Sequence, residues 1–146
     1  MRNRQKITRV QLKVSGHEDY SLLGIVTSDP DYKLSLSLNK KLKISLKNTA
    51  GIDIKDETGT SMNFSRFCYA KDAQDISYNL ISNRSGNGFL VKKLNKIDFF
   101  LQILSPLRDY NIDELTTSLR GIETITAIFR INPGDIRDKN LHYLIP

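Results

Sequence analysis

One stretch of the sequence, residues 97–131, constrains the possible folds more than any other. It opens with a predicted strand that is apolar on both faces. Every second side chain contributes to the first apolar face: Ile97, Phe99, Leu101 and Ile103. Phe100 and Leu104 make the other face apolar as well. This pattern is typical of a central strand that is covered on both sides, or covered on one side and near a partner on the other.

A helix is predicted next, because Asn111 can serve as its N-cap and Glu114 follows at the spacing of a capping box. Four apolar residues then recur at helical spacing: Ile112, Leu115, Leu119 and Ile122. Gly121 is placed to end this helix. Strand-like alternation resumes over residues 124–131, and four of its side chains are predicted to face inward: Ile125, Ala127, Phe129 and Ile131.

Further strands are predicted upstream by short apolar or alternating runs at residues 7–14, 20–26, 52–54, 62–69 and 76–82. The run from Asn83 to Gly88 is a dense turn signal, and Asn87-Gly88 predicts a hairpin turn of the primed type. The strand-helix-strand pattern of residues 97–131 makes a split β-α-β unit. We therefore predict an α+β fold, with one mainly antiparallel sheet, about two helices packed on one face, and the split unit at its C-terminal end.

The segment that follows Asp29-Pro30-Asp31 has two interpretations. Capping signals favour a helix, with Asp29 as the N-cap and Pro30 in the first helical position. Alternation of apolar and polar residues over residues 32–46 instead favours two strands that turn at residues 39–41. The residues alone leave this choice open.

The size of the chain predicts one domain. It has 146 residues, and we interpret residues 1–146 as a single unit. Residues 1–6 are predicted to be a flexible basic segment, and residues 133–146 an irregular tail. No apolar run is long enough to cross a bilayer, and no secretory apolar segment follows the basic start. We therefore expect no membrane association. Cys68 is the only cysteine, which excludes an internal disulfide, so we expect a reducing compartment and a cytoplasmic location.

No group of residues predicts catalysis, a metal or a cofactor. His17, His142 and Cys68 are too few for the usual zinc ligand sets. Gly86-Asn87-Gly88 lacks both the third glycine of the dinucleotide fingerprint and the Gly-Lys-Ser/Thr ending of a phosphate loop. No serine lies in a G-x-S-x-G elbow. We therefore expect a protein that is not an enzyme and has no cofactor.

Positive charge is concentrated early in the chain. The net charge is +6, and residues 1–47 hold ten basic and four acidic side chains, so they carry the whole excess. Residues 33–47 and 84–96 contain no acidic residue. These two stretches supply candidate contacts to a nucleic acid or a partner: Lys40, Lys41, Lys43, Lys47, Arg84, Lys92, Lys93 and Lys96. Aromatic residues are not interleaved with these lysines, so a solvated face is the simpler interpretation.

Several short motifs carry a family resemblance. Asp31-Tyr32, Leu38-Asn39-Lys40 and Leu80-Ile81-Ser82-Asn83-Arg84 match a characteristic helix start, helix end and turn, and Ile97-Asp98-Phe99 stands where the family has Val-Asp-Tyr. On these residues the chain resembles the IPExxxVDY family of small Bacteroidetes proteins. Val91-Lys92-Lys93 replaces the Ile-Pro-Glu triplet, which removes the proline and the acid. The resemblance implies a helix over Tyr32 to Leu42, and it implies no activity.

Two functional hypotheses follow. The leading one is a non-enzymatic domain that binds a protein partner or forms a homodimer. It is suggested by the strand of residues 97–104, which is apolar on both faces. The alternative is salt-dependent nucleic-acid binding through residues 33–47 and 84–96. Asp98 is a family-motif position of unknown role. A carboxylate on an apolar strand predicts either a bond to a nearby lysine or backbone amide, or a part in binding.

Overall fold

The computed structural model describes residues 20–70, 76–86, 88–105 and 111–145. The elements in chain order are β1 (Tyr20–Thr27), α1 (Asp31–Leu42), β2 (Lys47–Lys55), β3 (Ser61–Tyr69), β4 (Ser77–Ser82), β5 (Arg84–Ser85), β6 (Gly88–Phe89), β7 (Phe99–Leu104), α2 (Ile112–Arg120) and β8 (Ile125–Arg130). Short 3-10 turns occupy Lys92–Leu94, Pro133–Asp135 and Leu141–Leu144. Within these ranges no helix has the length and apolarity needed to span a membrane.

Six strands form one antiparallel sheet in the order β2-β3-β4-β7-β1-β8. β1 lies between β7 and β8 and runs antiparallel to both, so β7 and β8 are parallel to each other. Since α2 connects these two parallel strands across β1, the predicted split β-α-β unit is confirmed. The predicted α+β architecture is confirmed with it.

Both helices pack on one side of the sheet, which we call the helix face. Leu34 and Leu38 of α1 and Leu115 and Leu119 of α2 are buried in one cluster. The strands contribute the rest of this core, chiefly Leu23, Ile25, Phe67, Leu80, Leu101 and Ile103. This arrangement confirms two helices on one face, each held there by a narrow apolar stripe.

The segment that follows Pro30 is the helix α1, as the family resemblance implied. The alternation had predicted two strands there. Leu34 and Leu38 are fully buried, whereas Leu36 between them is 63% exposed. The three leucines therefore do not share one face, as they would in a strand. The predicted cap is wrong in detail. Pro30 is the N-cap, without a side-chain hydrogen bond, and Asp29 precedes it. After the helix, Asn39 Oδ1 accepts a hydrogen bond from the backbone N–H of Leu46 at 2.7 Å and ties down the returning chain.

The opposite side of the sheet, which we call the back face, is covered by the chain itself. Residues 90–97 and 131–145 lie over it and close a second core with Phe64 and Phe100. The most buried members of this cover are Leu90, Val91, Ile97 and Leu144. The prediction of a central strand covered on both sides is therefore confirmed for β7.

Ile97 belongs to the back face, so its predicted place beside Phe99 is wrong. Phe99 lies opposite Ile25, and the backbone N–H of Asp98 also donates to the Ile25 carbonyl at 2.9 Å. Two consecutive residues thus face one residue of β1, as in a β-bulge, and the alternation shifts by one position. Periodicity alone cannot reveal such a shift.

A second bulge corrects the prediction for β8. Val26 lies opposite Ala127 while Thr27 lies opposite Ile125, so Thr126 is an extra residue. Ile125 faces the helix core as predicted, but Ile128 joins it there. Phe129, predicted to face inward, is 51% exposed, because the extra residue turns it to the back face at the edge of the sheet.

The turn predictions are largely confirmed. Asn111 caps α2, and its side-chain oxygen accepts from the N–H groups of Asp113 and Glu114. A short hairpin forms from β5 and β6, although Gly88 pairs with Ser85 and does not sit in the turn. Gly86 takes the positive φ of 56° that this hairpin requires. The strand predicted at residues 7–14 and the segment 1–6 lie outside the described residues.

Candidate functional site

Asp98 lines a polar cavity of about 590 Å³ beside the first turn of α1. Its Oδ2 accepts the backbone N–H of Thr27 at 2.9 Å, and its Oδ1 pairs with Nε of Arg84. The Arg84 guanidinium also lies over the Phe89 ring, 4.8 Å from its centroid. The carboxylate is thus bonded to a backbone amide, as predicted, and to an arginine where a lysine was expected.

This cavity is rich in carboxylates but offers no reactive arrangement. Asp29, Asp31 and Asp98 line it with one cation, Arg84. Both oxygens of Asp98 are engaged in structural bonds, and its side chain is only 13% exposed. In the described part of the chain, no three histidine, cysteine or acidic side chains come together in a way that could hold a metal ion.

Asn83 is the buried centre of the neighbouring turn, and sequence reasoning did not single it out. Its Nδ2 donates to the carbonyls of Leu94 and Ile97 at 2.9 and 2.8 Å. Its Oδ1 accepts the N–H of Val91 at 2.8 Å. These bonds hold the 91–97 cover on the sheet. The signal in the sequence was the matched Ser82-Asn83-Arg84 motif, which the structure joins to Asp98.

A row of polar side chains crosses the back face beside this cover. Cys68 donates from Sγ to Oδ1 of Asn79 at 2.7 Å, and Asn79 donates to Oε1 of Gln102 at 2.9 Å. Gln102 then donates to the carbonyl of Leu144 at 2.7 Å. The three side chains lie in register on adjacent strands. Cys68 is therefore part of a structural row that anchors the chain near residue 144.

The carboxylates of Asp53 and Asp56 have separate structural roles. Asp53 accepts from Nδ2 of Asn63 across the β2–β3 ladder at 2.7 Å. Asp56 Oδ1 accepts from the Thr58 hydroxyl and from the N–H groups of Thr58 and Thr60, which shapes the hairpin turn. The hydrogen bond from the Thr58 hydroxyl, followed by that from the Thr60 amide, lowers the pKa of Asp56 below its ordinary value of 3.8.

Most lysines of the two lysine-rich stretches lie on opposite sides of the sheet. Lys40 and Lys41 are exposed in the last turn of α1 on the helix face, and Lys43 follows it. Lys47 begins β2 opposite Cys68, so it belongs to the back face. Lys92, Lys93 and Lys96 are exposed in the back-face cover. Arg84 follows β4, lines the polar cavity beside α1 and pairs with Asp98. Lysines in the last helical turn also stabilise the negative end of the helix dipole, which gives Lys40 and Lys41 a structural role.

β8 is the outermost strand of the sheet next to β1 in the described residues. The N–H of Ile131 donates to the carbonyl of Leu22, which fixes the phase of the β1–β8 ladder. Because hydrogen-bonded pairs alternate in an antiparallel ladder, the backbone groups of Ile128 and Arg130 point away from β1. Among the residues that the structure describes, no strand pairs with this row, at which a further strand can therefore add.

An apolar hollow of about 440 Å³ lies against the back side of this edge. Leu94, Ile97, Ile131 and Ile136 form much of its wall, and the exposed ring of Phe129 stands at its side. Its charged lining residues are three basic and one acidic: Lys93, Lys96, Arg130 and Asp135. Arg130 is 3.5 Å from Asp113, and both side chains are largely exposed, so this ion pair is weak.

Comparison with known proteins adds no relative to this description. No family model matches the chain, and no curated protein sequence matches it. The candidate site is therefore defined by its geometry, and we take it to be the β8 edge with Phe129 and the adjoining hollow.

Proposed function

We propose that the chain is a non-enzymatic protein-interaction domain that binds an extended segment of a partner along β8. The observation that carries this proposal is the coincidence of an open strand edge with an apolar hollow. Strand addition uses these two features in different ways. Backbone hydrogen bonds at the edge provide affinity, and pockets for alternate side chains provide specificity.

The two apolar faces of residues 97–104 suggested an interaction domain in the sequence, but in the structure they do not support it. Residues 90–97 and 131–145 already cover its second face. The support comes instead from Phe129, which stands exposed at the sheet edge beside the hollow. Aromatic residues of this kind are frequent anchors of binding energy at interfaces. Homodimer formation through the same edge is the other form of this proposal.

Nucleic-acid binding through residues 33–47 and 84–96 stays a prediction. The placement of Lys40 and Lys41 on one face and of Lys92, Lys93 and Lys96 on the other does not favour it, because one duplex or strand would have to contact both sides of the protein. Membership of the IPExxxVDY family and a cytoplasmic location also stay proposals, which rest on the matched motifs and on the single cysteine.

The test is selection of binding peptides from a random display library, followed by amide hydrogen exchange on the complex. Bound peptides should protect the N–H groups of Ile128 and Arg130, which point away from β1. Arg130→Pro removes one of these donors, whereas Arg130→Ala removes the same side chain and keeps the donor. We expect the proline variant to bind much more weakly than the alanine variant, and equal binding would reject strand addition at β8.

A further inference from the structure

We infer that the segment bound at β8 is acidic and carries a bulky apolar side chain that enters the hollow beside Phe129. This inference rests on the proposed function and specifies its partner. The hollow is large enough for a side chain and its wall is aliphatic, so it favours an apolar group of matching size. The charged residues at the hollow, most of them basic, favour acidic residues next to that apolar side chain in the bound segment.

The charge argument depends on the side chains that line the hollow. Lys93 and Lys96 are both exposed there, while Asp135 is the single acid among the lining residues. A strand added to β8 places alternate side chains on the back face, toward Phe129 and these lysines. The other side chains of that strand face Arg130 on the helix side, where its guanidinium is largely exposed. Because Asp113 is paired with Arg130 on the helix side, the excess of positive charge that an acidic segment meets lies on the back face, at Lys93 and Lys96.

The same charges disfavour two other occupants of the edge. A second copy of the chain would bring Lys93, Lys96 and Arg130 of both copies toward one interface, in a protein whose net charge is already +6. Residues 1–19 hold five basic and two acidic side chains, so this segment would also bring like charge to the edge. Like charges placed together across an interface oppose binding. An acidic segment of another protein is the occupant that fits.

The probe is a fluorescent peptide of about eight residues. The phenylalanine and the glutamates occupy alternate positions, and valines occupy the positions between them. Two control peptides replace the glutamates by lysines or the phenylalanine by serine. Anisotropy titrations with the full chain should show at least about tenfold tighter binding of the glutamate peptide than of either control. The preference over the lysine peptide should shrink as salt is raised, because salt screens exposed charges.

Matched variants locate the site on the protein. Lys93→Glu with Lys96→Glu should weaken the glutamate peptide by about tenfold or more, while Lys40→Glu with Lys41→Glu, on the other face, should not weaken it comparably. Phe129→Ser should weaken binding by a similar factor. Leu36→Ser is its control, since Leu36 is also a large apolar residue, is 63% exposed and is located on α1.

The outcomes separate this inference from the proposed function. If the lysine peptide binds as tightly and Arg130→Pro still weakens binding relative to Arg130→Ala, strand addition stands and the acidic partner is wrong. If Arg130→Pro and Arg130→Ala bind the glutamate peptide alike, both are wrong. Protection of the Ile128 and Arg130 amides without peptide also overturns the inference. A dimeric mass would then assign the edge to a second copy, and a monomeric mass would assign it to the chain itself.

Discussion

The guanidinium of Arg84 pairs through Nε with Oδ1 of Asp98 and joins the turn after β4 to the residue before β7. The other oxygen of Asp98 accepts the N–H of Thr27 at the end of β1. One carboxylate thus fixes the ends of three strands that are adjacent in the sheet. Residues 80–84 and 97–99 are therefore joined in the structure. They form a single bonded unit.

Substitution of Asp98 should affect stability. Asp98→Ala leaves the Thr27 amide without its acceptor, and we expect a loss of about 2 kcal/mol in the free energy of unfolding. Asp98→Asn keeps an acceptor and should cost less. Arg84→Ala should cost below about 1 kcal/mol, because the arginine is half exposed. Urea unfolding measures all three. If the Asp98→Ala variant is as stable as the parent, the structural role of Asp98 is wrong, and a role of its carboxylate in binding is favoured instead.

Asn83 should be among the most sensitive polar positions. It is fully buried, and Asn83→Ala leaves two carbonyls and one N–H without partners. We expect a loss of about 3 kcal/mol, and faster amide exchange in residues 91–97, which the asparagine holds. Asn63→Ala is the control, because Asn63 is exposed and its side chain donates to Asp53 in the same ladder. Equal costs for the two substitutions would contradict this account.

The pKa of Asp56 should respond to loss of the Thr58 hydroxyl. That hydroxyl is the main cause of the lowered pKa, so Thr58→Ala should raise the pKa toward 3.8. Because the pKa is lowered on folding, the turn gains stability that is fully present above the ordinary pKa and is lost as the pH falls below it. NMR titration of the Asp56 carboxyl provides the measurement, with Thr117→Ala on α2 as the control. An unchanged titration in Thr58→Ala would refute the assignment.

The salt dependence of any retention of nucleic acid should be limited to what one lysine set can contribute. Neither lysine set supplies more than about four cations to one face, so the logarithm of affinity should fall with a slope corresponding to at most about four phosphates. Filter binding of single-stranded and duplex oligonucleotides measures this slope. Lys40→Glu with Lys41→Glu and Lys92→Glu with Lys93→Glu should act independently. A steep slope that either pair abolishes would mean that one ligand spans both faces.

Local patterns predicted much of this fold. The stripe of α2, its Asn111 cap and the apolar faces of β7 follow from spacing alone, and together they led to the split β-α-β unit. The errors lie where one residue changes the alternation. Thr126 in β8 and Asp98 before β7 each shift the faces that follow. A bulge depends on pairing with the partner strand, so the sequence of one strand does not show where the alternation of its faces shifts.

The candidate site was harder to predict because topology decides it. The two lysine stretches looked equivalent in the sequence, and the sheet separates most of their lysines. Alternation predicted that Phe129 is a core residue, but it is exposed because β8 lies at the edge of the sheet. The hollow combines residues from the turn near 94 with those of 131–136, which no local spacing relates. Contacts between distant segments were beyond the reach of pattern reasoning.

The place of β1 in the sheet has a consequence for synthesis of the chain on the ribosome. Its two neighbours, β7 and β8, are made long afterwards, and Thr27 lies 71 residues before Asp98. At roughly 5–20 residues per second, the strand from Leu22 to Val26 waits on the order of ten seconds without its partners. During that time its backbone and apolar side chains are open to aggregation. Early contact with a chaperone should therefore matter more for this protein than for one whose first strands form a hairpin.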